Sequence, residues 1–221
     1  MINMNFNAAI FDLDGTLLDS MDIWEKIDIA FLSKRGLTAP ANYVAEICAR
    51  SFEDAARYTI DLFGLSESTS AIIEEWNAMA AHEYANNVRL QPYAFDYLLR
   101  LKAANIKLAT ATALPEKLYM PCLANNKVLD LFDALCSTDE VKRGKDSPDV
   151  FLLASNKLQV PAQNCIVFED VLPAVKSAKQ AGMIVYGVYD KYSAHNAAEI
   201  KAIADGYITD FSNAPLPSGK V

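Results

Sequence analysis

At 221 residues, 52% of them hydrophobic and 22% charged, the chain can bury a sizeable core in one or two domains and is not a disordered polar tract. A formal charge of −8 argues against a nucleic-acid partner, which needs a clustered basic face, but not against a small anion held in a cleft with a cation. The four cysteines (Cys48, Cys122, Cys136, Cys165) have no CxxC spacing, the N-terminus shows no signal peptide, and no run of about 18 apolar residues marks a transmembrane helix, so a cytoplasmic protein with reduced thiols is expected.

Residues 7–13 (NAAIFDL) form an apolar run that stops at carboxylates and a glycine, which suits a buried strand. Residues 20–87 carry helical patterns instead. Ile23, Trp24, Ile27, Ala30 and Phe31 recur at helical spacing before Gly36. Ser51-Phe52-Glu53-Asp54 opens a second stripe of Phe52, Ala56, Ile60 and Phe63 that stops at Gly64. Ile72, Ile73, Trp76, Met79 and Ala80 form a third, and Pro92 marks the end of the helical stretch.

Strand-like runs then return at 106–112 (IKLATAT), 134–137 (ALCS), 164–168 (CIVFE) and 184–188 (IVYGV). Between them lie helical patterns. Ser147-Pro148 reads as a capping residue and first helical position, ahead of a buried side of Val150, Phe151, Ala154 and Leu158. Another helix is expected from about 171 to 181, ending at Gly182. The expected architecture is therefore α/β: a Rossmann-like doubly wound parallel sheet from residues 1–19 and 88–221, interrupted after its first strand by a helical bundle over 20–87.

The strongest local signal is Asp12-Leu13-Asp14-Gly15-Thr16 directly after the first strand. At average residue usage such a string arises by chance in well under about one chain in a hundred. Carboxylates at i and i+2 leave a strand on one side of the pleat, and ligands of open α/β sheets bind at the carboxyl ends of strands. The plainer alternative is that both aspartates only cap the following turn.

This string resembles the first motif of the haloacid dehalogenase superfamily, in its phosphatase and β-phosphoglucomutase-like branch, and the resemblance covers almost the whole chain. Thr110 in KLATATA matches the second motif, a Ser or Thr ending an apolar strand. Lys145 in KDSPDVF matches the third, and Glu169-Asp170 in IVFED the fourth. Four motifs in order, at family-like separations, are far more specific than any one of them. Taken singly, Thr110 reads as an ordinary strand residue, Lys145 as a solvated lysine and Asp170 equally as a helix cap.

The resemblance implies that Asp12 is the nucleophile and Asp14 the general acid and base. It implies a Mg²⁺ held by the Asp12 side chain, the Asp14 carbonyl and the Asp170 side chain, with Glu169 outside them or as an occasional ligand. Lys145 and Thr110 would hold the phosphoryl oxygens, and residues 20–87 would be a cap domain that closes over the site. Ala111 and Thr112 would lie against the substrate, with packing the equal alternative for Thr112, and Arg50 could reach a substrate anion although a surface arginine is the commoner reading. The chemistry accounts for these residue types. A carboxylate attacks phosphorus directly and splits hydrolysis into two easier steps, but two anions must then approach, so a hard cation with oxygen ligands is needed.

Some positions depart from the family pattern. Val171 and Ala174 stand where Ser and Gly are frequent, Cys48-Ala49-Arg50-Ser51 lacks a glycine, and Trp24 replaces a histidine frequent in the mutases. No P-loop, GxGxxG, GxSxG or HExxH is present, and His82 and His195 have no metal-ligand partner at useful spacing. The expected function is Mg²⁺-dependent hydrolysis of a small phosphorylated metabolite, such as a sugar phosphate, through an aspartyl-phosphate. A β-phosphoglucomutase-like sugar-phosphate mutase is the runner-up, and a catalytically dead binding relative the third reading. No nucleic-acid or membrane partner is expected, and the chain is expected to be a monomer or weak homodimer.

Overall fold

A computed structural model describes residues 5–41, 43–48, 50 and 52–217, and the chain divides into two compact units, Met1–Ser20 with Val88–Val221, and Met21–Asn87. In the first unit, strands β1 (Ala8–Phe11), β4 (Lys107–Thr110), β5 (Cys165–Glu169), β6 (Ile184–Val188) and β7 (Gly206–Ile208) form one parallel sheet in the order β4-β1-β5-β6-β7. All four residues of β1 and all five of β5 are buried, as expected of strands covered on both faces.

Register decides what each face carries. Ile10, Ala109 and Val167 align and pack with Val185 under helices α7 (Asp149–Leu158) and α8 (Leu172–Gln180). One residue on, Phe11, Thr110 and Phe168 align on the opposite face. There the Phe11 and Phe168 rings stack at 5.0 Å, with Tyr97 of α5 (Ala94–Ala103) and Phe211 edge-on or tilted against them. Burying each such ring contributes roughly 2–3 kcal/mol. The result is an α/β fold with helices on both faces of a doubly wound parallel sheet. Among the described residues no helix is long and apolar enough to cross a membrane.

Two glycines interlock the sheet's last pair of strands. Gly187 of β6 aligns with Tyr207 of β7, and Gly206 with Tyr186. A Cβ at Gly187 would lie 2.5 Å from Ile200 Cγ2 and 2.6 Å from Tyr207 Cδ2, and one at Gly206 would lie 2.4 Å from the Tyr186 ring. Each ring thus occupies the space its partner glycine leaves open.

The structure differs from the sequence expectations at three points. The run at 134–137 is not a strand: it follows β4 through isolated bridges Ala109↔Ala134 and Thr112↔Ser137. Side chains take over ladder positions there. Leu108 N–H goes to the Asp133 carboxylate at 2.8 Å, and Cys136 N–H to the Thr110 hydroxyl at 2.9 Å. Second, Ser147 does not cap α7; Pro148 holds the cap position without a side-chain cap bond and the helix begins at Asp149, although its buried side is the expected one. Third, β7 and a two-residue antiparallel ribbon, β2 (Leu18–Asp19) with β3 (Arg89–Leu90), went unread.

The second unit consists of α1 (Ile23–Ser33), α2 (Tyr43–Cys48), α3 (Phe52–Phe63) and α4 (Thr69–Asn86). Gly36 and Gly64 sit at φ of 68° and 63°, conformations that end a helix and favour glycine. Phe31 meets Trp76 edge-on at 5.6 Å, and the Arg35 guanidinium lies over Phe31 while pairing with Glu67 and Glu75. The buried stripe of α1 is Ile23, Ile27, Asp28, Phe31 and Leu32, so Ala30 is exposed and an acid takes a place in the interior. At 100° per residue these five positions span a half-circle from 23 to 32, and position 30 falls just outside it, beyond 23. The opening at Ser51 lies outside the described residues.

Candidate active site

The aspartate string forms a tight loop at the end of β1. Leu13, wholly buried, anchors it, and its carbonyl accepts the amides of Thr16, Leu17 and Leu18 at 3.2, 2.9 and 2.8 Å. Gly15 supplies a φ of 76° that this turn requires. The Asp12 amide bonds to Phe168 O at 3.0 Å, which fixes its side chain between the ends of β1 and β5. Asp14, half-buried, accepts the Ser20 hydroxyl on Oδ1 at 2.6 Å.

Two of the expected residues meet Lys145. Its Nζ lies 2.5 Å from Asp12 Oδ1 and 2.5 Å from Glu169 Oε2. Glu169 Oε1 accepts the amides of Asp170 at 3.1 Å and Val171 at 3.0 Å, holding the turn that leads from β5 into α8. Asp170 Oδ1 accepts the Thr16 hydroxyl at 3.0 Å. Carboxylate oxygens of Asp12, Glu169 and Asp170 all lie within 4.8 Å of one another, and all three residues are buried.

Electrostatically the cluster is under-neutralised. Burial alone would lower the Lys145 ammonium, but Asp12 and Glu169 outweigh it and hold it above the ordinary lysine range. Burial and then Asp12 push Glu169 up to about 7 against the pull of Lys145. Burial, then Glu169 and Asp12, push Asp170 up to about 9 despite its bond from Thr16. Three carboxylates face one ammonium, which leaves two negative charges when all are ionised. Glu169 Oε2 is buried, and the Lys145 ammonium is its one polar contact among the described residues. An all-oxygen donor set with two uncompensated charges fits a hard divalent cation.

The other expected residues are placed differently. The Thr110 hydroxyl is buried and engaged with Cys136, donating to its carbonyl at 3.2 Å and accepting from its amide at 2.9 Å. The Ala111 amide bonds to Phe11 O at 2.8 Å, beside Asp12. The Thr112 hydroxyl accepts the Leu114 amide at 3.0 Å and forms a local turn. Arg50 belongs to the helical unit, where it pairs with Glu46 at 3.0 Å and stacks over Tyr58 at 4.5 Å. His82 and His195 are exposed. Cys122, Cys136 and Cys165 are free and buried, and their thiols are raised by burial to about 12, 11 and 11.

Two contacts escaped the sequence reading. Thr16 was part of the string, yet nothing in it indicated a bond to Asp170, 154 residues away. Ser20 stands six residues after Asp14, where the only available signal was a hydroxyl preceding a helical pattern.

The chain is similar to known proteins along most of its length. The family model described as "Haloacid dehalogenase-like hydrolase" matches residues 9–188. A curated relative, "(DL)-glycerol-3-phosphatase 2" of Arabidopsis thaliana, is 30% identical over 82% of this chain and 79% of its own length. Another, "Probable pseudouridine-5'-phosphatase" of Drosophila melanogaster, is 28% identical over 89% of this chain and 90% of its own. The solved structure of CbbY from Rhodobacter sphaeroides in complex with phosphate superposes with a TM-score of 0.74 at 22% identity, over 94% of this chain and 96% of that one, and so shares the fold. The chain belongs to the haloacid dehalogenase-like hydrolases, and it is a phosphoric monoester hydrolase of that family.

Proposed function

We propose that this chain hydrolyses a small phosphorylated metabolite, of the sugar-phosphate or polyol-phosphate kind, through a phosphoryl ester on Asp12. The observation that carries the proposal is Lys145 bridging Asp12 and Glu169, with Asp170 in the same cluster, at the carboxyl ends of β1 and β5. The named activities of the curated relatives point to the same substrate class.

In this reading one Asp12 oxygen attacks phosphorus while Lys145 meets the negative charge spreading over the phosphoryl oxygens. Asp14 gives a proton to the departing ester oxygen and later takes one from the water that cleaves the acyl phosphate. Ser20 holds that carboxyl by a 2.6 Å bond until it turns to the substrate. Asp12, Asp170 and the Asp14 carbonyl, with Glu169 beside them, would hold Mg²⁺, which when bound offsets the repulsion between the nucleophile and the phosphate. Thr110 anchors the end of β4 through Cys136, and its hydroxyl would donate to a phosphoryl oxygen by turning its proton from the Cys136 carbonyl while still accepting the Cys136 amide. Ala111 and Thr112 extend the same strand end. The helical unit is the cap in this reading, and an anion at Arg50 competes with Glu46 for the guanidinium.

The test is turnover of p-nitrophenyl phosphate and a panel of phosphorylated metabolites by the wild-type chain and Asp12→Asn, with sugar-phosphate isomerisation followed in parallel. Asp12→Asn should lower kcat at least about a thousandfold while the melting temperature stays close to wild type. EDTA should abolish activity and Mg²⁺ restore it. Substantial turnover by Asp12→Asn would overturn the covalent role, and net isomerisation without phosphate release would replace hydrolysis with a mutase.

A further inference from the structure

Lys145 lies in neither a helix nor a strand, but in the turn that leads into α7. The turn is closed by the Ser147 amide bonding to Gly144 O at 3.0 Å. That bond shapes the turn without fixing where it sits over the sheet. A lysine on a four-carbon stem needs its main chain held if the ammonium is to find the same place each time.

The hold comes from α8. The Ser177 hydroxyl donates to the Lys145 carbonyl at 2.6 Å, across 32 residues of sequence, from a side chain that is 1% exposed. The same hydroxyl lies 3.1 Å from Ala174 O one turn back, the acceptor that a helical serine uses when it has nothing else. With one hydrogen and two acceptors, the shorter bond goes to Lys145. Helix α8 is itself tied to the site, because Glu169 Oε1 holds the Asp170 and Val171 amides immediately before it. The lysine is therefore held at both ends, its Nζ by Asp12 and Glu169 and its carbonyl by α8, whose approach from β5 Glu169 holds.

We propose that Ser177 is a positioning residue for Lys145: its hydroxyl fixes the lysine's main chain so that the ammonium falls between Asp12 and Glu169. The inference rests on the reading of Lys145 as the group that meets the phosphoryl oxygens, since without that role its placement has no consequence for turnover.

The experiment is competitive acetylation of the intact protein by acetic anhydride with Mg²⁺ present, each lysine quantified by mass spectrometry, in the wild-type chain, Ser177→Ala and Ser177→Thr. Loss of one buried hydrogen bond should make Lys145 label about tenfold faster in Ser177→Ala while the other lysines are unchanged. Ser177→Thr, which keeps the hydroxyl, should restore the wild-type rate, and kcat should fall about tenfold in Ser177→Ala alone. Lys145 labelling within about twofold of wild type would overturn the proposal. So would a rise shared by all lysines, or one that Ser177→Thr does not reverse. Labelling needs no substrate, so this outcome is separate from the covalent role of Asp12, which stands or falls with Asp12→Asn.

Discussion

Replacing Asp28 with asparagine should stabilise the helical unit at neutral and alkaline pH and leave it nearly unchanged in acid. Asp28 is 5% exposed on the inner side of α1, and burial, with a smaller contribution from Glu25, raises its carboxyl to about 7. Tyr43 of α2 feels its charge, but the Tyr43 hydroxyl is already shared with Thr59 at 2.8 Å. A carboxyl raised in the folded state binds its proton more tightly there than in the unfolded chain. Stability is therefore highest below about pH 4, falls as pH rises towards about 7, and is level above that. The rise from 3.8 to about 7 corresponds to a ceiling of about 4 kcal/mol, and water at the rim of a small bundle reduces this to about 2–3 kcal/mol.

That magnitude is a large fraction of a domain's stability and easily measured. Both tryptophans, Trp24 and Trp76, lie in the helical unit, so their fluorescence in urea follows that unit and not the sheet. At pH 8 the midpoint of Asp28→Asn should exceed wild type by about 1–2 M urea, and at pH 4 the two curves should nearly coincide. Parallel stability profiles from pH 4 to 8, or a less stable Asp28→Asn at pH 8, would refute the reasoning.

Two further changes probe the sheet and the acidic cluster. Thr16→Val keeps shape in a wholly buried position but removes the donor to Asp170 Oδ1, so Mg²⁺ affinity measured by calorimetry should weaken about tenfold or more; an unchanged constant would show that the bond has no part in holding the carboxylate. Gly187→Ala forces a methyl group against Ile200 and Tyr207 and should cost about 1–3 kcal/mol in urea unfolding of the sheet unit, followed by circular dichroism; a midpoint equal to wild type would mean that the ring moves aside freely.

How much of this was legible in the sequence varied with the length of the signal. Strands β1 and β5 announced themselves as apolar runs because a strand buried on both faces has no polar alternation to hide it, and β4 and β6 did so although Lys107 is exposed and Ile184 and Tyr186 are half-buried. Strand β7 is three residues, Gly206–Ile208, and β2 and β3 are two each, too short for any periodicity. The run at 134–137 misled because apolarity reports burial and not bonding, and Asp133 and the Thr110 hydroxyl take ladder positions that only coordinates reveal. In the site, the acids and Lys145 were readable as strings in order. The hydroxyls that hold them were not: Thr16 and Ser177 act across 154 and 32 residues, and a serine or threonine carries no mark of its distant partner.

The reciprocal fit of Tyr207 over Gly187 and Tyr186 over Gly206 works as a key for strand alignment. Sliding β7 by one position would drive a ring into a backbone that already carries a side chain, so the short terminal strand has a single seat despite offering few hydrogen bonds. The same fit makes change at these sites a joint event. A side chain at Gly206 needs the opposite tyrosine to shrink, and one at Gly187 needs both Tyr207 and Ile200 to give way, which ties the evolution of the two strands at this edge together.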